Sequence, residues 1–175
     1  MKRRHFLQTT SIAAGGMWAF PSKNLSAQSV DSDQLRRIDE TPVLRPGYLR
    51  EPIIIESVEL LRNKSNFLVR IRSKDGAESV TAPNSLRLKD CYPIFNNRVG
   101  RFFVGKNACK IESLLNELYR FSSNYKWQGL AFWVCQAALE MGVLDLIGKV
   151  RGVPLGELFG KIRQRDIAIY RASGN

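Results

Sequence analysis

Residues 128–150 have the sequence QGLAFWVCQAALEMGVLDLIGKV and predict the longest helix of the chain. Apolar side chains fall nearly all the way round this helix, and Gln136, Glu140 and Lys149 mark a thin polar side. A helix that is apolar on most sides is buried, so we expect this one to be the central element of the domain. The following Gly152-Val153-Pro154 ends the helix and starts a short second one.

Three segments upstream of this helix predict β-strands. Residues 52–62 are rich in β-branched side chains, residues 67–72 alternate apolar and basic positions, and residues 77–82 form the third segment. A turn is predicted at residues 63–66, and Asp75-Gly76 predicts a tight turn between the second and third strands. The pattern indicates a three-stranded antiparallel meander.

Two more helices are predicted between the strands and the long helix. Residues 85–97 predict a helix that is interrupted or bent at Pro93. Asn107 can cap the next helix, whose apolar side chains recur at helical spacing. These apolar positions are Ile111, Leu114, Leu115, Leu118 and Tyr119. Strands followed by helices describe an α+β fold, a meander followed by a helical bundle. Residues 167–170 then predict a fresh strand.

The first 27 residues predict an export signal, separate from the fold. Their basic start is followed by a weakly apolar stretch that is too short and too rich in Gly, Ser and Thr to span a membrane. Arg3, Arg4, Phe6 and Leu7 resemble a twin-arginine export motif, and an ordinary secretory signal is the alternative. We therefore expect a periplasmic or extracellular protein that contacts the twin-arginine translocase transiently.

Residues 28–50 show little apolar periodicity. Ser, Asp, Gln and Arg dominate this segment, and Pro42 and Pro46 would interrupt a helix. We expect a mobile linker or an extended arm here.

The net charge of the chain is +11. Four of the 27 basic residues and none of the 16 acidic residues lie in the first 27 positions, so the rest of the chain carries a net charge of +7. The remaining basic residues are scattered through the predicted hairpins and helices without a dense stripe. This distribution argues against specific nucleic-acid binding.

Few side chains in this chain are suited to catalysis or metal binding. The single histidine, His5, lies in the predicted export signal, so the body has no histidine base, triad or metal ligand. Cys91, Cys109 and Cys135 show no CxxC spacing, and no metal site is predicted. Cys135 lies in an apolar run and is expected to be a buried, inert thiol. Whether Cys91 and Cys109 pair in an oxidising compartment stays open.

Two carboxylates on the long helix, Glu140 and Asp145, could suggest acid–base chemistry. Positions five apart on a helix differ by about 140° around its axis, so these side chains do not face one site. We expect both to contact neighbouring backbone or basic groups, such as Lys149 four residues after Asp145. No catalytic residue is predicted in this chain.

The final third of the sequence resembles a known enzyme family. Residues 139–149, LEMGVLDLIGK, resemble the motif "iE-x-A-l-w-D-l-x-G-K" of the mandelate racemase/muconate-lactonizing enzymes, which belong to the enolase superfamily. Residues 152–160, GVPLGELFG, resemble the family's "G-x-P-l-x-x-L-l-G", and residues 169–173 resemble the opening of its first barrel strand. Upstream, residues 104–107 and the hairpin at Asp75-Gly76 stand where the family has similar elements.

The chain departs from the family pattern at four points. Gly142 and Leu144 replace the usual Ala and Trp, and Lys161 replaces a second Gly. The connection between the first two strands is very short, whereas relatives often have a longer loop that closes over the substrate. The short connection argues against a loop that closes tightly over the substrate.

The resemblance implies a fold and an activity for a longer protein. It places an enolase-like N-terminal capping domain at residues 51–161 and the first strand of a missing (β/α)₈ barrel at residues 162–175. It implies a carboxylic-acid substrate, Mg²⁺, and removal of the proton α to the carboxylate by groups of the barrel. Racemisation, dehydration and cycloisomerisation stay open as outcomes. We expect this chain alone to be inactive and to contain no cofactor.

A capping domain closes the barrel mouth, so the resemblance implies that its hairpin ends contact the substrate. The candidates are Asn63, Lys64, Ser65 and Asn66 after the first strand, and Ala82, Pro83, Asn84 and Ser85 after the third. Plain solvated turns are the alternative. The implied partners are the chain's own barrel and further copies in a homo-oligomer. The alternative function is that of an exported binding module without catalysis. The net charge of +7 on residues 28–175 would favour its binding to a partner.

Overall fold

The computed structural model describes residues 31–122, 129–164 and 166–169. The predicted export signal lies outside these residues. The chain divides into two compact units, Met1–Ile38 and Asp39–Asn175. Helix α1, Ser32–Glu40, begins in the first unit, and the sheet and all later helices belong to the second. The later elements are a 3₁₀ turn at Pro46–Tyr48, β1 Ile55–Asn63, β2 Asn66–Ser73, β3 Glu78–Thr81, α2 Ser85–Ile94, a π-helical turn at Phe95–Gly100, α3 Arg101–Phe103, a 3₁₀ turn at Ala108–Lys110, α4 Ile111–Arg120, α5 Gly129–Arg151 and α6 Leu155–Phe159.

The three strands form one antiparallel sheet in the order β1-β2-β3, which confirms the predicted meander. Lys64 and Ser65 alone connect β1 to β2, and Lys64 has a φ of 56°. Such two-residue hairpin turns require positive φ values, which non-glycine residues adopt less readily. Gly76, with a φ of 83°, supplies the corresponding conformation between β2 and β3. The α+β fold predicted from the element order is therefore correct.

Helix α5 packs against β2 and β3 and is the central element of the core. Phe67, Val69 and Ile71 of β2 alternate toward it and are almost completely buried. Among the described helices, α5 is the one that is long and apolar enough to cross a membrane, yet half of it is buried within the domain, as in a core helix of a globular protein. Its opposite side leaves Trp133 and Met141 half exposed, so the expected burial is not complete.

The predicted helix at residues 85–97 is longer and less regular than expected. Helix α2 continues through Pro93, the chain then widens into the π-helical turn Phe95–Gly100, and α3 follows directly. Proline has no N–H to donate to the carbonyl four residues earlier. A π-turn accommodates such an interruption while the helix continues. The widening therefore begins two residues after Pro93.

Asn107 caps the next helical segment, as predicted. Its Oδ1 accepts hydrogen bonds from the backbone N–H of Cys109 and of Ile53, both at 3.0 Å. The cap thus satisfies a helical donor and also ties the residues before β1 to this helix. A single 3₁₀ turn precedes α4, whose residues Ile111, Leu114 and Leu118 are buried.

Residues 31–50 belong to the segment that was predicted to be a mobile linker or an extended arm, and part of this segment packs on the core. Helix α1 occupies its first half, and Leu44 is buried in the core of the second unit. The Leu44 N–H donates to Glu112 Oε1 at 2.8 Å, and the Arg45 N–H donates to the Leu158 carbonyl at 2.7 Å. A single anchoring leucine has no periodicity, which is why the sequence pattern did not reveal it. An extended arm describes residues 41–50 better.

Residues 161–164 and 166–169 form neither a helix nor a strand. Ile167 and Ile169 are 71% and 92% exposed. A strand is defined by backbone hydrogen bonds to a neighbouring strand. Residues 161–164 and 166–169 have no such bonds to other described residues. The proposed barrel strand stays a prediction, and Tyr170 lies outside the described residues.

Candidate functional site

The sheet brings the two predicted substrate-contact segments together. Because β2 is antiparallel to both neighbours, the C-terminal ends of β1 and β3 and the N-terminal end of β2 lie at the same end of the sheet. Ser85 Oγ, at the start of α2, accepts a hydrogen bond from the Phe67 N–H of β2 at 2.8 Å. This bond joins the β1–β2 hairpin to the connection after β3.

A cleft of 670 Å³ lies between these segments and is called the hairpin cleft below. It is lined by Leu61, Arg62, Asn63, Asn66, Phe67, Leu68, Ala82, Pro83 and Ser85. Five of the eight predicted residues therefore line one cleft. Lys64 and Ser65 form the hairpin turn outside it, and Asn84 caps α2 by accepting the Arg87 N–H at 3.2 Å. Whether the cleft contacts a substrate stays a prediction.

The sequence prediction included Asn63 and Asn66, which flank the hairpin turn, but missed the next two residue pairs along the strands. Arg62 pairs with Phe67, and Leu61 pairs with Leu68 across β1 and β2. A two-residue turn fixes this register, so the pairing could have been inferred from the turn length and the alternation of the strands. The prediction stopped at the Asn63–Asn66 pair and did not follow the register further along β1 and β2.

Arg62 supplies the positive charge of the hairpin cleft. Its Nε donates to the Lys64 carbonyl at 2.8 Å, and its Cζ lies 5.6 Å from the centre of the Phe67 ring. The two contacts orient the guanidinium over an aromatic face. No acidic side chain lines this cleft, whereas Asn63 and Asn66 add amide donors and acceptors. The arrangement suits an anionic ligand that also carries hydroxyl groups.

The hairpin cleft does not fit a divalent metal ion. Mg²⁺ prefers carboxylate oxygens and water as ligands, and the residues lining the cleft include no Asp or Glu. Within residues 31–122, 129–164 and 166–169, no group of three His, Cys, Asp or Glu side chains could hold a metal ion. No catalytic step through a metal is derived from these residues.

The two carboxylates of α5 differ in their surroundings. Asp145 Oδ2 lies 2.9 Å from Lys149 Nζ, which confirms the predicted ion pair. The side-chain carboxyl of Glu140, in contrast, has no hydrogen bond or ion pair with any described residue. The polar contact that was expected for it is therefore absent from the described part of the chain. Burial raises the pKa of the Glu140 carboxyl above its ordinary value.

All three cysteines are buried and free, so Cys91 and Cys109 form no disulfide in this structure. Cys135 Sγ donates to the Cys91 carbonyl at 3.3 Å, and Cys109 Sγ donates to the Glu51 carbonyl at 3.1 Å. Burial raises the pKa of the Cys135 thiol to about 12. Cys135 is buried, as predicted, and formation of the thiolate, which is the reactive form, is disfavoured there.

A family model for the mandelate racemase / muconate lactonizing enzyme N-terminal domain matches residues 39–160. The chain belongs to this family. Its sheet and helices match the capping domain of the enolase superfamily.

Similar proteins include dehydratases and a magnesium complex. A D-galactonate dehydratase family member from Pseudarthrobacter chlorophenolicus is 30% identical over 125 residues, which is 70% of this chain and 30% of that protein. A protein from Caldivirga maquilingensis named for L-rhamnonate dehydratase is 29% identical over 77 residues, which is 44% of this chain and 19% of that protein. A mandelate racemase/muconate lactonizing protein from Paracoccus denitrificans, solved with magnesium, has a TM-score of 0.55 and 22% identity over 64% of this chain and 31% of its own.

The chain therefore spans less than a third of the two curated relatives. The likeness to the solved structure concerns the fold of the capping domain.

Proposed function

We propose that residues 51–161 cover the substrate of an enolase-superfamily enzyme and that the hairpin cleft provides the contact. One observation carries this proposal, namely that the β1–β2 hairpin end and the start of α2 form a single cleft in a domain of this family. Arg62 can pair with a carboxylate, and Asn63 and Asn66 can bind hydroxyl groups. The cleft residues would thus orient an acid substrate without taking part in bond breaking.

The parent reaction that we propose is the dehydration of a sugar acid. It starts with removal of the proton α to the carboxylate, a step that racemisation and cycloisomerisation share. The curated relatives are named for dehydratases of L-rhamnonate and D-galactonate, and this favours dehydration. Mg²⁺, bound outside the residues described here, would stabilise the negative charge that develops on the substrate.

The substrate contact can be tested by NMR with the complete 175-residue chain. Adding D-galactonate should shift the side-chain amide signals of Asn63 and Asn66, because both line the hairpin cleft. Arg62→Met should abolish these shifts. Arg87→Met, which removes the same charge from an exposed position outside the cleft, should leave them unchanged.

Two results would count against the proposal. Equal loss of the shifts in Arg62→Met and Arg87→Met would indicate unspecific charge attraction. A wild-type chain without shifts at millimolar sugar acid would exclude this cleft as the contact. Turnover of D-galactonate by the 175-residue chain with Mg²⁺ would contradict the expectation that this chain is inactive by itself.

We also propose export through the twin-arginine translocase and assembly with the chain's own barrel into a homo-oligomer. Changing Arg3 and Arg4 together to Lys should retain the precursor in the cytoplasm in cell fractionation. Export at the normal level would contradict this localisation. Tight ligand binding by an exported chain that never joins a barrel would instead support the non-catalytic binding module.

A further inference from the structure

Arg98 lies in the π-helical turn and is 9% exposed. It is the one charged side chain that is buried in the described part of the chain. Buried guanidinium groups are normally paired with carboxylates or fully hydrogen-bonded, because an unpaired charge is costly to remove from water. The surroundings of Arg98 depart from that rule.

Two of the three nitrogens of this guanidinium have no hydrogen-bond partner among the described residues. Nη1 donates to the Ser122 carbonyl at 3.5 Å, which is a long contact, whereas Nε and Nη2 are buried without any hydrogen bond. No ion pair to Arg98 is present among the described residues. Burial lowers the pKa of Arg98, yet a guanidinium keeps its charge in proteins. No described side chain therefore compensates the positive charge of this guanidinium.

The two unpartnered nitrogens lie on the same edge of the guanidinium. Their N–H groups point in parallel, with the spacing of the two oxygens of a carboxylate or phosphate. The two parallel donors match the paired oxygens of a carboxylate or phosphate, whereas one water molecule offers a single oxygen. The free edge therefore favours an oxyanion as its ligand.

A cavity of 380 Å³ lies beside Arg98. It is lined by Pro93, Ile94, Asn97, Arg98, Phe121 and Ser122, and none of these residues is acidic. The volume is sufficient for a small organic acid or a phosphate group. Nε and Nη2 have almost no accessible surface in this structure, so a ligand in the cavity would reach them only if the guanidinium gave up its long contact with Ser122 and turned.

The neighbouring surface is also positive. An adjoining hollow shares Phe121 with this cavity and includes Arg101, Lys106 and Arg120. Its single acid, Glu117, is paired with Lys106 at 3.6 Å. Arg101 and Arg120 therefore add a positive potential that would attract an anion toward Arg98.

We propose that Arg98 and the cavity beside it form an oxyanion-binding site, for a carboxylate or a phosphate group, separate from the hairpin cleft. The ligand would bind side-on to Nε and Nη2, and the Asn97 amide could contact a further oxygen. No residue of this site lines the hairpin cleft, so the inference stands without the proposed substrate-capping role.

Thermal unfolding of the complete chain tests this site. Sodium phosphate and sodium acetate are added separately to a Tris-chloride buffer at constant ionic strength. We expect one of them to raise the Tm of the wild type, and the larger rise identifies phosphate or carboxylate as the ligand group. Arg98→Met should give no rise. Arg87→Met, which removes an exposed charge that lines neither this cavity nor the adjoining hollow, should respond like the wild type.

The same variants give a second readout without added anion. Arg98→Met should unfold at a Tm no lower than that of the wild type, because it removes an unpaired buried charge. If Arg98→Met does not fold, Arg98→Lys replaces it, since lysine keeps the charge but lacks the two-donor edge. A wild type that responds to neither anion, or an Arg98 variant that responds as strongly as Arg87→Met, would overturn the proposal.

Discussion

At the scale of single residues, Gly142 sets the distance between α5 and the sheet. A Cβ at this position would lie 2.8 Å from Ile71 Cδ1 and 3.3 Å from Ile71 Cγ1, and Ser79 Oγ donates to the Gly142 carbonyl at 2.7 Å. The glycine that departs from the family's usual alanine therefore permits a close approach. Alanine would gain about 1 kcal/mol of helix propensity and lose about 1–3 kcal/mol by overpacking a buried contact.

The first prediction separates these two effects with a double-mutant cycle. Gly142→Ala should be neutral or destabilising in the wild type, because Ile71 is fully buried and has little room to move. In an Ile71→Val background, which lacks Cδ1, the same change should be more favourable by about 1 kcal/mol. Urea unfolding of the four proteins measures the coupling. An identical effect of Gly142→Ala in both backgrounds would exclude the proposed clash.

Glu140 gives a second prediction, which depends on pH. Its folded-state pKa is raised by burial, so the ionised form destabilises the fold and stability is lost as the pH rises through that folded pKa. Glu140→Gln should therefore raise the Tm at pH 7. The gain should disappear below the ordinary glutamate pKa of about 4.3, where both states bind the proton. Glu56→Gln, the same change at an exposed position, is the control and should not show this pH-dependent gain.

At the scale of elements, Asn107 connects two parts of the fold. Its Oδ1 accepts from the N–H groups of Ile53 and Cys109, and Ile54 forms an isolated bridge with Asn107 itself. Asn107→Ala should cost about 2 kcal/mol of unfolding free energy, because it removes a cap and leaves a second donor unsatisfied. Asn107→Asp keeps both acceptor bonds and should cost less.

Asn84 provides the comparison in the same urea-unfolding series. It caps α2 through one bond to the exposed Arg87 N–H. Asn84→Ala should therefore cost about 1 kcal/mol or less. If both alanine variants were equally stable, the link between Asn107 and the residues before β1 would contribute nothing.

The elements also show which parts of the fold the sequence predicts. Alternation and the Asp75-Gly76 turn predicted the meander, and the Asn107 cap predicted the start of the segment before α4, because these signals are local. The π-helical turn after Pro93 was not predicted, since the sequence shows the missing donor but not how the chain compensates for it. In the hairpin cleft, Arg62 and Phe67 become neighbours through strand pairing, and they were missed because the register set by the two-residue turn was not followed beyond Asn63 and Asn66.

At the scale of the whole molecule, the core ends near Leu158 while the chain continues. Leu158 is 1% exposed, and Ile162 still packs near Gly156 of α6. Beyond it, Ile167 and Ile169 are exposed apolar side chains without strand partners in the described residues. Exposed apolar segments of β-branched residues promote association between chains. The segment after Ile162 should therefore affect solubility more than stability.

The last prediction is that deleting residues 163–175 reduces self-association and leaves the unfolding midpoint unchanged. Sedimentation velocity measures the association, and urea unfolding gives the midpoint. A full-length variant with Ile167→Lys and Ile169→Lys is the matched control and should reduce association similarly, because it removes the same apolar surface without shortening the chain. A deletion that lowers the midpoint would mean that these residues pack within this chain, and their interpretation as the start of a barrel would then be wrong.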